Sequence, residues 1–288
     1  MAQTIACANQ KGGVGKTTTV VNLAAYLALA GERVLIVDLD PQGNATSGFG
    51  IDRSALEVTL YDVLLGNTAM AETVLPTVVS ACSIVPASVS LAGAEVELAT
   101  ADQRERRLTK LLEPVLDAYD YVLIDCPPSL GLLTVNALTA ADSVLIPTQC
   151  EYYALEGLTQ LIATLNLVRD HLNPALAIKG VVLTMFDART NLSADVAAEV
   201  RNHLGAAVFD TIIPRSVRLS EAPSFGLPIA LYRDNSRGAI AYAALAAELR
   251  RRDGHGSPIT STDLATPSGS PLLTSTATTA ALAVGVPG

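Results

Sequence analysis

Short runs of apolar residues alternate along the chain with longer stretches in which apolar positions recur every three or four residues. The first pattern predicts strands buried on both faces; the second predicts amphipathic helices. "TIACAN" (4–9) is a run of the first kind. "TTVVNLAAYLALAG" (18–31) has helical spacing and stops at Gly31, a residue suited to a helix C-terminus. "RVLIVDLD" (33–40), "CSIVPAS" (82–88), "YVLIDCPP" (121–128), "SVLIPTQ" (143–149) and "KGVVLTMFD" (179–187) read as further buried strands. "RERRLTKLLEPVLDAYD" (104–120) and "GLTQLIATLNLVRDHL" (157–172) lie between them as amphipathic helices. Strands alternating with helices predict an α/β fold: a three-layer arrangement with a mostly parallel, twisted sheet flanked by helices. No repeat of 20 to 50 residues interrupts the pattern. From residue 254 the composition turns to Ser, Thr, Pro, Gly and Ala, so one domain over 1–253 and a disordered tail over 254–288 are expected.

Composition narrows this picture. Half of the 288 residues are hydrophobic, enough to bury a sizeable core. The net charge of -9 and pI of about 4.8 argue against a protein that coats nucleic acid over its whole surface, but leave room for a local basic patch. The four cysteines (Cys7, Cys82, Cys126, Cys150) form no C-x-x-C pair and have no histidine cluster beside them, so they read as reduced core residues and not zinc ligands. No signal peptide is recognisable before the first strand, and no apolar run reaches about 18 residues. A soluble, cytoplasmic protein is expected.

The candidate chemistry sits at the predicted strand ends, where open α/β sheets bind ligands. In "NQKGGVGKTT" (9–18), Gly12, Gly13 and Gly15 let backbone N–H groups turn inward around phosphate oxygens, with Val14 between them. The following helix adds its positive N-terminal end. Lys16 can reach β- and γ-phosphates and Thr17 can ligate Mg2+, with Thr18 beside it. The loop departs from the usual phosphate-loop pattern: Gln10 stands where the first glycine would be, and an extra lysine, Lys11, follows it. "VDLDPQGN" ends a strand in Asp38 and Asp40, carboxylates that can hold a metal or orient water. "YVLIDCPPS" is an apolar run followed by Asp125, the pattern of a metal-binding acid in nucleotide hydrolases.

These stretches, together with "LIDCPPSLGLLTVNAL" and "IPRSVRLSEAPSFGLPI", make residues 1 to about 252 resemble the ParA/Soj-type chromosome and plasmid partition ATPases, in the MinD-like, deviant Walker A group of P-loop NTPases. The resemblance implies ATP and Mg2+ as ligands, with Thr17, Asp125 and Asp38 at the metal. It implies that Lys11 is a signature lysine reaching the partner's phosphates across an ATP-dependent homodimer, joining Lys16 and Asp40 as the catalytic group. Asp40 aligns with the acid that positions the hydrolytic water, and Pro214 and Arg215 with residues near the adenine. It also implies non-specific binding to double-stranded DNA, a ParB-like centromere-binding partner, and a nucleoid-associated place in the cytoplasm.

Seven of the 19 basic residues lie beyond position 212, and Arg218 and Arg237 are the candidates for DNA contact. Arg250–Arg252 could instead favour a helix C-terminus. The alternative of a MinD-type membrane-associated division-site ATPase needs a basic amphipathic C-terminal helix, yet no Lys or Arg follows Arg252, so no membrane contact is expected. An iron–sulfur carrier would need cysteines placed to hold a cluster between subunits, and Cys126 and Cys150 sit in apolar contexts.

Overall fold

The computed structural model describes residues 2–151 and 154–254. Among these residues eight strands form one sheet: β1 (Gln3–Cys7), β2 (Val34–Asp38), β3 (Leu75–Pro76), β4 (Cys82–Val85), β5 (Tyr121–Asp125), β6 (Ser143–Gln149), β7 (Ala177–Phe186) and β8 (Val208–Pro214). Their order is β3-β4-β2-β5-β1-β6-β7-β8, and every pairing is parallel except β3 with β4. The central strands are buried throughout, as their unbroken apolar runs require.

Two cores lie on opposite faces of the sheet. On one, the helix Lys16–Leu29 packs with the final helix Arg237–Arg252 around Tyr26, Phe209, Tyr242 and Leu245. On the other, Leu133, Leu161, Leu165 and Val200 come from the helices Leu132–Ala140, Ala154–His171 and Asn191–Leu204. Helix, sheet and helix make the three layers. No helix among the described residues is long and apolar enough to cross a membrane.

One expectation needs correction, and one strand has no counterpart among the expected elements. The single helix over 104–120 is broken into an α-helix, Arg107–Leu112, flanked by 3-10 turns at Arg104–Arg106 and Glu113–Ala118. Pro114 explains the break, because it has no N–H to continue an α-helical ladder. The strand β8 was not legible, because Asp210 and Thr211 interrupt its apolar run. Their amides instead donate to Glu248 of the final helix, each at 2.9 Å. The tail expected over 254–288 lies outside the described residues beyond Gly254.

The final helix is pinned at its end. Asp253 accepts from the Tyr121 hydroxyl at 3.0 Å and pairs with Lys179, whose ammonium also donates to Gln3 at 2.6 Å. These partners sit at the starts of β5, β7 and β1.

The loop after β2 is held against the segment 222–227 by two glycines in the left-handed region. Gly50 has φ +75° and Gly226 has φ +64°, and a Cβ on Gly226 would stand 2.5 Å from the Gly50 Cα. A Gly226→Ala variant therefore meets both strain and backbone overlap, costing about 1–3 kcal/mol. Its thermal midpoint, measured by circular dichroism, should fall by at least ~2–4 °C; Gly254→Ala, whose Cβ meets nothing within 4 Å, should fall less.

Candidate nucleotide site

The carboxyl ends of β1, β2 and β5 converge at the centre of the sheet. Their register places Cys7 beside Asp125, and Asp125 beside Asp38. From the end of β1 the chain turns through the glycine loop into the helix Lys16–Leu29. Gly13 (φ +75°) and Gly15 (φ +90°) take left-handed conformations that a side chain would strain. The first helical bond is Thr19 N–H to Gly15 O, and Gly15 supplies no side-chain cap. The amides of the first turn are thus left for an outside acceptor.

Two side chains outside the loop hold it in shape. Asn9 donates to Pro147 O at 2.8 Å and accepts from the Lys11 amide at 3.0 Å. The Thr184 hydroxyl donates to Val14 O at 2.8 Å. Lys16 is almost wholly buried, and its ammonium rests on Lys11 O at 3.4 Å. Lys11 is half-exposed and points the other way, to Glu151 at 2.8 Å, while Gln149 donates to the second Glu151 oxygen. The two lysines of the loop therefore lead separate lives: one faces the loop's interior, the other its outer edge.

Asp125 is fully buried, and neither carboxylate oxygen has a hydrogen-bond partner. Burial pushes its pKa well up, and the negative charge of Asp38 adds to this. The Thr17 hydroxyl lies close enough to favour the charged form, without the geometry of a hydrogen bond. Asp38 is buried too, and burial raises it to about 6 against the opposing bonds from Thr46. Its Oδ2 accepts from the Thr46 hydroxyl at 2.6 Å and the Thr46 amide at 2.8 Å. Asp38 is thus committed within the fold, whereas Asp125 is not. Asp40 follows the end of β2, nearly buried, and accepts from the Gln42 amide at 2.9 Å.

Two cavities meet at this point. One, of about 310 Å³, is lined by Gly12, Gly13, Lys16, Thr17, Asp40 and Asn44. Its neighbour, of about 280 Å³, is lined by Gly15, Thr18, Met185, Pro214, Arg215 and Tyr242. The first has the polar character of a phosphate site; the second is more enclosed and more apolar, as a base site would be. Met185 borders both and carries φ +51°, a conformation uncommon for a long side chain. Sequence reasoning missed Met185, Asn9 and Thr184. Only the left-handed backbone or a long-range bond marks them, and neither leaves a local signal.

The two candidates for DNA contact are exposed but differ in what they touch. Arg218 pairs with Glu221 at 2.6 Å. Arg237 opens the final helix beside an apolar groove with Ile240. Arg250 and Arg252 serve the fold: Arg250 pairs with Glu32, and Arg252 pairs with Glu248 while lying 4.0 Å over the Phe209 ring.

Similarity to known proteins agrees with this geometry. The AAA domain family matches residues 2–178. The chain is 57% identical over 249 residues to the sporulation initiation inhibitor protein Soj of Bacillus subtilis, covering 86% of this chain and 98% of that one. It is 56% identical to the chromosome partitioning protein ParA of Myxococcus xanthus, covering 88% of this chain and 90% of the relative. Among solved structures, a Mycobacterium smegmatis protein named cobyrinic acid a,c-diamide synthase, with ADP and magnesium bound, superposes at a TM-score of 0.78. It is 40% identical, with 89% of this chain and 97% of that one covered. The cell division ATPase MinD of Pyrococcus furiosus superposes at 0.74 with 28% identity, over 88% of this chain and all of MinD. Matched over nearly its whole described length by proteins of that kind, the chain belongs to the ParA/Soj family of chromosome-partitioning ATPases.

Proposed function

We propose that this chain is a Mg2+-dependent ATPase that drives DNA partition, and that its ATP-bound form is a homodimer that binds double-stranded DNA without sequence preference. The observation that carries the reading is Asp125: a buried carboxylate with no hydrogen bond, beside Thr17 and Lys16. A buried charge of this kind costs several kcal/mol unless a cation answers it. Mg2+ at nucleotide sites is held by one or two protein oxygens and the substrate's phosphates. The absence, among the described residues, of a cluster of three or more ligating side chains is therefore no obstacle. The residues fit the ion: Thr17 and Asp125 would hold it, with Asp38 behind them. When bound, Mg2+ neutralises charge that develops on the phosphates.

The chain's own residues supply the rest. The first-turn amides and Lys16 bind the phosphates, and Met185, Pro214 and Arg215 border the base. Asp40, with its backbone anchored, accepts a hydrogen bond from water and orients it for attack on the γ-phosphorus. Lys11 contributes from the partner subunit, leaving its contact with Glu151 to meet the phosphate across the dimer. That a second cation arrives only with a partner couples nucleotide state to assembly. Arg218 and Arg237 contribute to a basic surface that doubles in the dimer. The partner that stimulates hydrolysis and releases DNA is a ParB-like centromere-binding protein.

DNA binding measured with ATP, with ADP and without nucleotide tests this directly. Binding should require ATP and weaken steeply with salt; equal binding in all three conditions would refute the reading. Two variants separate the lysines. Lys16→Ala should weaken fluorescent-ATP binding by about 10- to 100-fold, the scale of a lost charge-assisted contact. Lys11→Ala should keep ATP affinity within about 3-fold yet fail to dimerise in sedimentation with ATP, since Lys16 and the loop amides remain. Normal dimerisation by Lys11→Ala would rule out its role in trans. Asp40→Ala should still bind ATP and dimerise while hydrolysing about 100-fold or more slowly, the usual scale for a lost proton-accepting or water-orienting group; phosphate release and light scattering read the two properties separately.

A further inference from the structure

The segment that carries Asp40 is tied down by one buried hydroxyl. Thr46 lies in the short helix Asn44–Gly48, fully buried, and lines neither the phosphate cavity nor the base cavity. Its hydroxyl donates to Asp38 Oδ2 at 2.6 Å, and the same oxygen accepts the Thr46 amide at 2.8 Å. The hydroxyl also accepts from the Ala87 amide at 3.1 Å. Ala87 lies just beyond the end of β4, the strand beside β2. The other Asp38 oxygen receives the Asp40 amide at 3.4 Å, and Asp40 O accepts from the Gly43 amide at 2.8 Å. One carboxylate thus holds both ends of the stretch from 40 to 46. One hydroxyl locks that carboxylate to a neighbouring strand.

We propose that Thr46 is a positioning residue for Asp40: through Asp38 and the Ala87 amide, it fixes the segment 40–46 against the sheet so that the Asp40 carboxylate faces the phosphate cavity. The proposal rests on the ATPase reading above. Thr46 lines neither cavity, so its removal should act on the arrangement of Asp40 and not on binding. A valine has nearly the same shape but leaves Asp38 one donor short and the Ala87 amide without a partner. A displacement of about 1 Å at a group that orients a reactant can cost ~100-fold in rate.

The test compares the wild-type chain with Thr46→Val, Thr46→Ser and Thr46→Cys. It reads steady-state ATP hydrolysis, fluorescent-ATP affinity and amide hydrogen exchange over residues 40–48. Thr46→Val should lower kcat by about 10- to 100-fold, keep the ATP Kd within about 3-fold, and speed exchange over 40–48 while the strands β1 and β5 stay protected. Thr46→Ser retains the hydroxyl and should stay close to wild type in all three. Thr46→Cys, with a weak donor and acceptor, should fall between them and serves in place of the valine variant if that one does not fold. A wild-type kcat in Thr46→Val, an equal loss in Thr46→Ser, or a loss of ATP affinity parallel to the loss of rate would overturn the proposal. Absence of hydrolysis by the wild-type chain would sink the ATPase reading instead. In that case unchanged exchange in Thr46→Val would still refute the latch, and faster exchange confined to 40–48 would still support it.

Discussion

A carboxylate shut inside a sheet with no hydrogen bond is the constraint around which this protein is arranged. Asp125 ends the central strand β5 and has Asp38 in register beside it. Two acids at that spacing oppose each other's ionisation, and burial opposes both. The fold deals with them differently. Asp38 receives donors from Thr46 and from Asp40's own backbone, so its charge is spent inside the protein. Asp125 receives none, and the positive charge of Lys16 is near enough to favour its ionised form. The glycine loop, the uncapped helix start and the buried lysine all follow from placing positive potential where that acid ends its strand.

The parts of this arrangement that were legible in the sequence are those in which local pattern and chemistry coincide. Strands buried on both faces in a parallel sheet must be continuously apolar, so "RVLIVD" and "YVLID" announce themselves, and an acid directly after such a run is conspicuous. Glycines at 13 and 15 are demanded by backbone angles that other residues avoid. The elements that escaped obey longer-range rules. Strand β8 carries Asp210 and Thr211 because Glu248, 38 and 37 residues away, satisfies their amides. Asn9 and Thr184 act on the loop through bonds to distant backbone, and Met185 is marked by a backbone angle that sequence does not encode. The broken helix near 104–120 is a plainer matter: Pro114 was visible, but amphipathic spacing on both sides of it masked its effect. The family resemblance added the role proposed for Lys11, which no periodicity could suggest.

Charge is distributed in the same economical way. Of the arginines near the C-terminal end of the domain, Arg250 and Arg252 neutralise the largely buried Glu32 and Glu248, and so hold the final helix to the sheet. Arg218 shares its charge with Glu221 on the surface, where an exposed pair contributes little and yields readily to a competing anion. Counting basic residues along the sequence therefore overstates what is free to meet an external polyanion, while Arg215, Arg233 and Arg237 are exposed.

The pin at Asp253 has a geometric consequence. Its partners, Tyr121, Lys179 and Gln3, stand at the beginnings of parallel strands, whereas the phosphate loop and Asp125 stand at their ends. At about 3.3 Å per residue, a five-residue strand puts these poles roughly 17 Å apart. The chain therefore leaves the described domain at the pole facing away from the nucleotide, and a reporter or handle inserted directly after Gly254 would start its path there.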